Sequence, residues 1–213
     1  MKPTVADKLH STLLIQFARA PLAGQVKTRM MPYLSVQEAC ELHCELVLWT
    51  SAMLARSRLG EVQLSVAGDA AHSLFVQCRE LGVSRISQQS GADLGERMYR
   101  AIQSGLQHHT NVILVGSDCP AIDGSYLAQA LRALGSAPLV LGPAQDGGYV
   151  LIGAREIHPS LFEEIPWGTE QVYAKTVASI RKLDLNWTEL PVLVDIDRPG
   201  DLAAWKTLRD SRT

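Results

Sequence analysis

The sequence is short of the features that would place it at a glance. It has four cysteines, Cys40, Cys44, Cys78 and Cys119, and no C-x-x-C pair. That spacing excludes the usual structural zinc site and the dithiol redox motif. Reduced, mostly buried thiols are expected instead, as in a cytoplasmic protein. Neither sign of charge dominates. The formal net charge is -2, which argues against a nucleic-acid partner, since such domains are usually basic. Long apolar runs are also missing. The longest near the start, Thr12 to Ala18, is interrupted by Gln16 and is far too short to span a bilayer. It ends in Arg19-Ala20-Pro21 rather than a small-residue cleavage site, so no signal peptide is expected. No Gly-Lys-Ser or Gly-Lys-Thr occurs, which excludes a Walker A loop. There is no internal repeat, low-complexity tract or interdomain linker.

What is present is enough apolar residue for a full core: 46% of 213 residues. One domain spanning residues 1–213 is expected, with a polar, loose segment over 1–11. The organising stretch is Val112-Ile113-Leu114-Val115-Gly116-Ser117-Asp118-Cys119-Pro120. Its apolar run reads as a strand buried on both faces. Gly-Ser-Asp-Cys-Pro cannot continue a sheet, so Asp118 falls at the strand's carboxyl end. Ligands bind at that edge in open α/β sheets. A carboxylate there needs a positive partner, and a divalent metal carrying a phosphate is the obvious one. The plainer alternative is that Asp118 caps the next helix or closes an Asx-turn, although Asp123 and Ser125 already offer caps. With no cation present, Asp118→Asn is expected to keep the fold and gain stability.

Leu13 to Phe17 reads as the first strand. A long loop follows, bracketed by Pro21 and Pro32 and containing Gly24. No acidic residue occurs from Lys8 to Gln37, whereas Lys8, Arg19, Lys27 and Arg29 do. A basic, glycine-containing loop directly after the first strand is where a doubly wound fold holds phosphates. On charge alone it is equally a solvated basic loop. Ser35 and Glu38 form a capping box for a helix to about Arg56. Val62 to Ala67 is a strand, residues 71–81 a helix stopped by Gly82, and Val83 to Ile86 a short strand. Asp93 and Glu96 open the next helix. Arg97 lies in its first turn against the helix dipole, so a ligand or an acidic partner is expected to hold it. A surface salt bridge is the plain alternative. Gly91 and Gly95 leave room for a base or sugar to approach the backbone.

After the central strand, residues 124–135 read as a helix and Leu139 to Gly142 as a strand. Asp146 then sits in a seven-residue loop before Val150. It is either a hairpin turn residue or part of a functional loop. Thr169 is expected to cap a helix running to about Leu183, and Leu190 to Val194 to form the last strand. That strand ends in Asp195-Ile196-Asp197. Asp197 has a helix to cap, because Pro199 opens one. Asp195 has none, so it is the better metal candidate of the two. Strands and helices alternate through residue 142, which implies a largely parallel sheet. The closer spacing afterwards implies an antiparallel piece at its edge.

Six stretches, spread over roughly residues 12–205, resemble the DUF2064 family of bacterial proteins. They are Ala20-Pro21-x-x-Gly24-x-Val26-Lys27-Thr28-Arg29, Asp93-Leu94-Gly95-Glu96-Arg97-Met98, Gly116-Ser117-Asp118-Cys119-Pro120, Pro143-Ala144-x-Asp146-Gly147-Gly148-Tyr149, Trp167-x-Thr169 and Asp195-Ile196-Asp197-x-Pro199-x-Asp201-Leu202. The resemblance implies the GT-A, or nucleotide-diphospho-sugar transferase, fold: a three-layer αβα sandwich with a mostly parallel central sheet. It implies a glycosyltransferase-like enzyme, some relatives being placed in arsenosugar biosynthesis. It also implies kinship with phospholactate and molybdenum-cofactor guanylyltransferases. Arg198 departs from the family, where Thr is common.

Ser117-Asp118-Cys119 stands where many GT-A enzymes carry Asp-x-Asp, so a second metal ligand must come from elsewhere. The expected ligands of Mg²⁺ or Mn²⁺ are Asp118 and Asp195, with Asp197 beside them. Arg19, Gly24, Lys27, Arg29, Gly91, Asp93, Arg97 and Ser117 are the candidate nucleotide-binding residues. Asp118, Lys27 and Asp146 are the candidate catalytic ones. The leading expectation is transfer of a sugar from a nucleotide-diphospho-sugar donor to a small-molecule acceptor, the metal and Arg19, Lys27 and Arg29 stabilising the departing diphosphate. Asp146 would contact the sugar or accept a proton from the acceptor. The alternative is nucleotidyl transfer from a nucleoside triphosphate to a phosphorylated acceptor, with release of pyrophosphate. A non-enzymatic nucleotide-binding protein is the third reading.

Overall fold

The structure, a computed structural model, describes residues 12–211. Seven strands form one sheet: β1 (Thr12–Arg19), β2 (Glu61–Ala67), β3 (Arg85–Gln88), β4 (Asn111–Val115), β5 (Leu139–Pro143), β6 (Tyr149–Ala154) and β7 (Trp187–Glu189). Their order is β3-β2-β1-β4-β6-β5-β7. All neighbouring pairs are parallel except those of β6, which runs antiparallel between β4 and β5. β6 is thus the expected antiparallel piece, in the β6-β5-β7 side of the sheet.

The two central strands are apolar on both faces, and side-chain alternation sorts them into two cores. Leu14, Ile113 and Val115 pack with Leu54, Phe75 and Leu127 on one side. Leu13, Ile15, Val112 and Leu114 pack with Met98, Ile102 and Ile180 on the other. The helices supplying those partners are α1 (Val36–Ser57), α2 (Ser73–Glu80) and α4 (Gly124–Leu134) on the first face. The second face is covered by α3 (Leu94–Leu106) and α5 (Val172–Lys182). Each fully buried aliphatic side chain contributes about 1.5–3 kcal/mol, so these strands hold the site's scaffold rigid. A last helix, α6 (Leu202–Asp210), docks Trp205 edge-on against Trp49, ring centroids 5.0 Å apart.

Gln16 is a polar residue in the middle of β1 and is fully buried. Its amide donates to Val47 O and Ser117 Oγ, each at 2.9 Å, and Ser51 Oγ donates to its Oε1 at 2.6 Å. A buried amide costs free energy unless it is bonded. This one is fully used and ties β1 to α1 and to the end of β4.

Local caps follow their sequence signals. Ser35 and Glu38 close the expected box, and Asp93 and Asp123 accept from Glu96 N–H and Tyr126 N–H. Asp123 takes the cap of α4, which frees Asp118 from that role. Two expectations fail. Thr169 does not cap α5, which starts at Val172; its hydroxyl donates to Pro166 O at 2.8 Å within a turn. The last strand is Trp187–Glu189 rather than 190–194. Pro191 has no N–H, and the segment keeps only scattered bonds to β5 and its exit, such as Leu193 N–H to Pro143 O at 3.0 Å. All four cysteines are free, Cys44 half-buried and the others buried. Among the described residues, no helix is long and apolar enough to cross a membrane.

Candidate functional site

Asp118 stands three residues beyond the last residue of β4, at the carboxyl edge of the sheet's middle strand. Two segments distant in sequence meet it there. The first is the loop after β1. Gly24 and Lys27 both adopt positive φ, +79° and +51°, which folds the loop back over the strand ends. The Lys27 side chain is 3% exposed, with its Nζ 2.7 Å from Asp118 Oδ1 and 4.0 Å from Asp197 Oδ1. It donates to the Ile196 carbonyl at 2.5 Å. The second segment is 195–197, where Ile196 N–H donates to Asp118 O at 2.7 Å.

A buried ammonium is tolerable only when paired and hydrogen-bonded. Lys27 therefore commits its charge to Asp118, and Asp118 is not an uncompensated carboxylate. This reverses the sequence-based expectation that Asp118→Asn would stabilise the metal-free protein. Oδ1 of Asp118 is buried and has its ion pair but no hydrogen bond of good angle. The side chain as a whole is 48% exposed, so the carboxylate is anchored from below and open from above.

Arg29 binds the same segment from the other side. Its Nη1 lies 2.7 Å from Asp197 Oδ2 and its Nη2 donates to Gly168 O at 3.3 Å. Asp197 raises the guanidinium pKa further. Asp197 is thus an ion-pair partner of the loop and not a helix cap. The cap belongs to Asp201, whose Oδ2 accepts from Asp197 N–H at 3.0 Å and Arg198 N–H at 2.7 Å.

Among the described residues Asp195 has no ion pair. Burial, then the charges of Asp146, Asp197 and Asp118, push its carboxyl up to about 6 from an ordinary 3.8. Asp146 sits in the β5–β6 hairpin and accepts from Gly148 N–H at 2.8 Å, an Asx-turn. It is both a hairpin turn residue and a wall of the cavity. That cavity, of about 680 Å³, is lined by Arg29, Asp146, Asp195, Asp197 and Asp201 together with the turn around Thr169. A more apolar cavity, of about 790 Å³ among Leu48, Trp49, Met53 and Trp205, contains none of these strand-end residues.

The remaining candidates divide. Arg19 is exposed at the end of β1, and its guanidinium donates to Gln25 O at 3.5 Å. Gly24 has nothing nearer than Val36 Cγ1, at 3.8 Å from an ideal Cβ. Ser117 is a correction: it is 4% exposed, and its hydroxyl donates to Phe17 O at 2.8 Å and accepts from Gln16. It serves the scaffold. Asp93 is spent on the α3 cap. At Gly91 and Gly95 the packing of the protein itself already calls for glycine. A Cβ on Gly91 would lie 2.7 Å from Arg97 N, and one on Gly95 would lie 2.7 Å from Trp167 Cζ2. Arg97 has no acidic partner among the described residues. Its Nε donates to Gly91 O at 3.2 Å, and it lines a different cavity, beside β2 and β3.

Sequence reasoning missed the two carbonyls that receive the basic loop, Ile196 O and Gly168 O. Backbone oxygens leave no trace in residue types. The only available signal was the nearness of Gly168 to the Trp167-x-Thr169 stretch. Trp167 lies beside the site, stacked on Phe162 and edge-on to Tyr149.

The donor set was tested for a metal by its chemistry. Among the described residues no three His, Cys, Asp or Glu side chains form a ready-made cage. Mg²⁺ does not require one, since it is usually held by one or two carboxylates, water and substrate phosphates. A half-buried carboxylate whose pKa is raised by burial and by neighbouring carboxylates, with no ion pair among the described residues, fits such an ion. Asp195 meets that description and Asp118 adjoins it.

The profile of the DUF2064 family, described as an uncharacterized protein conserved in bacteria, matches residues 50–169. The chain belongs to the DUF2064 family. A crystal structure of a candidate nucleotide-diphospho-sugar transferase from Desulfovibrio desulfuricans G20 is similar to this DUF2064 protein at 30% identity. That match covers 88% of this chain and 83% of the other, with a TM-score of 0.77. The expected nucleotide-diphospho-sugar transferase fold is thereby the fold of this chain. Two more distant structures share the fold alone. One is 4-diphosphocytidyl-2C-methyl-D-erythritol synthase from Anaerococcus prevotii DSM 20548, with 9% identity, 92% and 98% coverage and a TM-score of 0.62. The other is glucosyl-3-phosphoglycerate synthase from Mycobacterium tuberculosis in complex with Mn²⁺, UDP and phosphoglyceric acid, with 11% identity, 96% and 79% coverage and a TM-score of 0.54. No curated protein matches the chain by sequence.

Proposed function

We propose that this DUF2064 protein is a transferase acting on a nucleotide-activated substrate: it moves a sugar from a nucleotide-diphospho-sugar to a small-molecule acceptor, with Mg²⁺ or Mn²⁺. The observation carrying the reading is the convergence of the basic loop, Asp118, Asp195 and Asp197 at the carboxyl edge of β4. The relative at 30% identity, itself named as a candidate of this class, supports it.

Asp195 and Asp118 are the residues that would hold the divalent ion. When bound, that ion neutralises the donor's diphosphate as a Lewis acid. Lys27 fixes Asp118 from below and lends positive potential to the same edge. Arg29, about half exposed and held by Asp197, and Arg19, exposed at the end of β1, are the cations that would meet the donor's phosphate oxygens. In the transfer step the acceptor oxygen bonds to the sugar's anomeric carbon while the bond from that carbon to the diphosphate breaks. The acceptor's proton passes to Asp146 Oδ2, since Oδ1 is already engaged by Gly148 N–H. The diphosphate departs with the electron pair, facing Arg29.

Lys27 is committed to Asp118 and Arg29 to Asp197, so Arg19 is the one cation of the loop with no ion pair among the described residues. That suits the lower charge of a diphosphate ester better than a triphosphate. The test is a thermal-shift screen of nucleoside diphosphates, nucleotide sugars and triphosphates with and without Mn²⁺, followed by product analysis. Stabilisation by diphosphates and nucleotide sugars that depends on Mn²⁺, with release of a nucleoside diphosphate, supports sugar transfer. Release of pyrophosphate from a triphosphate would replace it with nucleotidyl transfer.

A further inference from the structure

A second cavity, of about 240 Å³, lies between the β2–β3 face of the sheet and α3. Its electrostatics are opposite to those of the acidic cavity above. Arg85, Arg97 and Arg100 line it together with Gln63, Ser65 and Ser87, and no carboxylate lines it. Strand alternation explains the setting. On β2, Val62, Leu64 and Val66 enter one core, so Gln63 and Ser65 point to the side of α3. A sheet face beneath a helix is ordinarily apolar. Here it is built from amide and hydroxyl groups, with Gln63 Nε2 donating to Ser87 Oγ at 2.9 Å.

The decisive residue is Ser65. It is 2% exposed, lines the cavity, and among the described residues its hydroxyl has no hydrogen-bond partner; only its backbone carbonyl is used, by Gln89. Ser65 Oγ is not among the sealed, unpaired polar atoms of the described residues, so it opens onto the cavity and is available to a ligand. Arginine on the short edge strand β3 would be accounted for by protection of the edge, but that does not account for a serine beneath it. The arginines are also underused. Arg100 is answered by Glu96 and Ser90. Arg97 donates only its Nε, to Gly91 O, leaving both terminal nitrogens without partners among the described residues. Arg85 has no ion pair there at all. The cavity therefore holds two uncompensated guanidinium charges above a hydroxyl-bearing floor.

We propose that this cavity binds the phosphate group of a small molecule. A phosphate monoester carries close to two negative charges and several acceptor oxygens, which match two unanswered guanidinium forks and the free hydroxyls. The site is independent of the proposed transfer reaction, because it shares no residue with the acidic cavity.

Inorganic phosphate and glucose 1-phosphate, titrated by calorimetry without metal, provide the probes. Four proteins are compared: wild type, Arg85→Gln, Ser65→Ala and Arg29→Gln. Arg85→Gln is expected to weaken binding roughly tenfold or more, the factor for one charge-assisted hydrogen bond. Ser65→Ala is expected to weaken it by a smaller factor, and Arg29→Gln to leave it unchanged. Tighter binding of the ester than of inorganic phosphate identifies a phosphorylated metabolite; equal binding identifies the free anion. Amide resonances of Ser65 and Ser87 should shift on addition of phosphate, which checks the location without any variant. Equal affinity in wild type and Arg85→Gln would overturn the proposal, as would loss confined to Arg29→Gln or unmoved Ser65 and Ser87 resonances at saturating phosphate.

Discussion

Replacing Asp118 or Asp195 by Asn removes one negative charge in each case, yet the two changes should move stability in opposite directions. Asp118 is the counter-charge of Lys27, whose side chain is 3% exposed. Breaking a fully buried pair costs 3–5 kcal/mol and a surface pair about 0–1. Asp118 is half exposed, Asn can still accept one bond from the ammonium, and Lys27 keeps the Ile196 carbonyl. The loss should therefore be about 1–2 kcal/mol, or roughly 2–8 °C in Tm. Asp195 is the reverse case. Its carboxyl is raised to about 6 by burial and by Asp146, so the native state binds that proton more tightly than the unfolded chain does. The resulting penalty is complete above pH 6, is relieved as pH falls through about 6, and has disappeared below the unfolded value of 3.8. Asp195→Asn should therefore stabilise the metal-free protein at pH 8 by about 1 kcal/mol, well under the full linkage value because solvent reaches the carboxylate. The gain should fall to about half at pH 5 and vanish only below about 3.8. Urea denaturation of wild type and both variants at pH 8 and pH 5, with chelator, measures this. Equal signs for the two variants at pH 8, or a gain for Asp195→Asn that is undiminished at pH 5, would refute the electrostatic assignment.

Arg29→Ala should leave stability within about 1 kcal/mol, since its pair with Asp197 is largely exposed, while raising KM for the nucleotide substrate in steady-state assays. Gly95→Ala should destabilise by about 1–3 kcal/mol through overpacking, because its Cβ would press on Trp167 and the Phe162 backbone; thermal denaturation checks it. Ser117→Ala should cost about 1–2 kcal/mol by stripping Phe17 O and Gln16 of a partner. Its effect on nucleotide affinity, read by calorimetry, should be slight.

Features written in adjacent residues were legible before the structure. Caps at Ser35, Asp93 and Asp123 depend on contacts three residues away, and the apolar run ending at Asp118 marks a central strand by composition alone. The antiparallel piece was legible from spacing, but not its insertion between β4 and β5, because strand order is set by tertiary packing. The errors occurred where a local signal had a distant competitor. Asp197 precedes Pro199 and reads as a cap, yet Arg29, 168 residues away, takes it. Lys27 reads as a free phosphate ligand, yet it is buried against Ile196 O, 169 residues away. Gly91 and Gly95 read as openings for a ligand, and distant neighbours crowd the side that a Cβ would take at each. The partners of Asp118 and Asp195 decide the sign of every charge argument at the site, and neither could be read from neighbours in sequence.

The central claim is that Asp195 and Asp118 make the sheet edge a divalent-cation and nucleotide-diphosphate site. Calorimetric titration of a nucleoside diphosphate into wild type and Asp195→Asn at pH 8, each with Mn²⁺ and with chelator, tests it most directly, since that variant is expected to fold at least as well as wild type. The account predicts binding by wild type only when Mn²⁺ is present, and its loss in Asp195→Asn. Mn²⁺-dependent binding of equal strength in both proteins would contradict it.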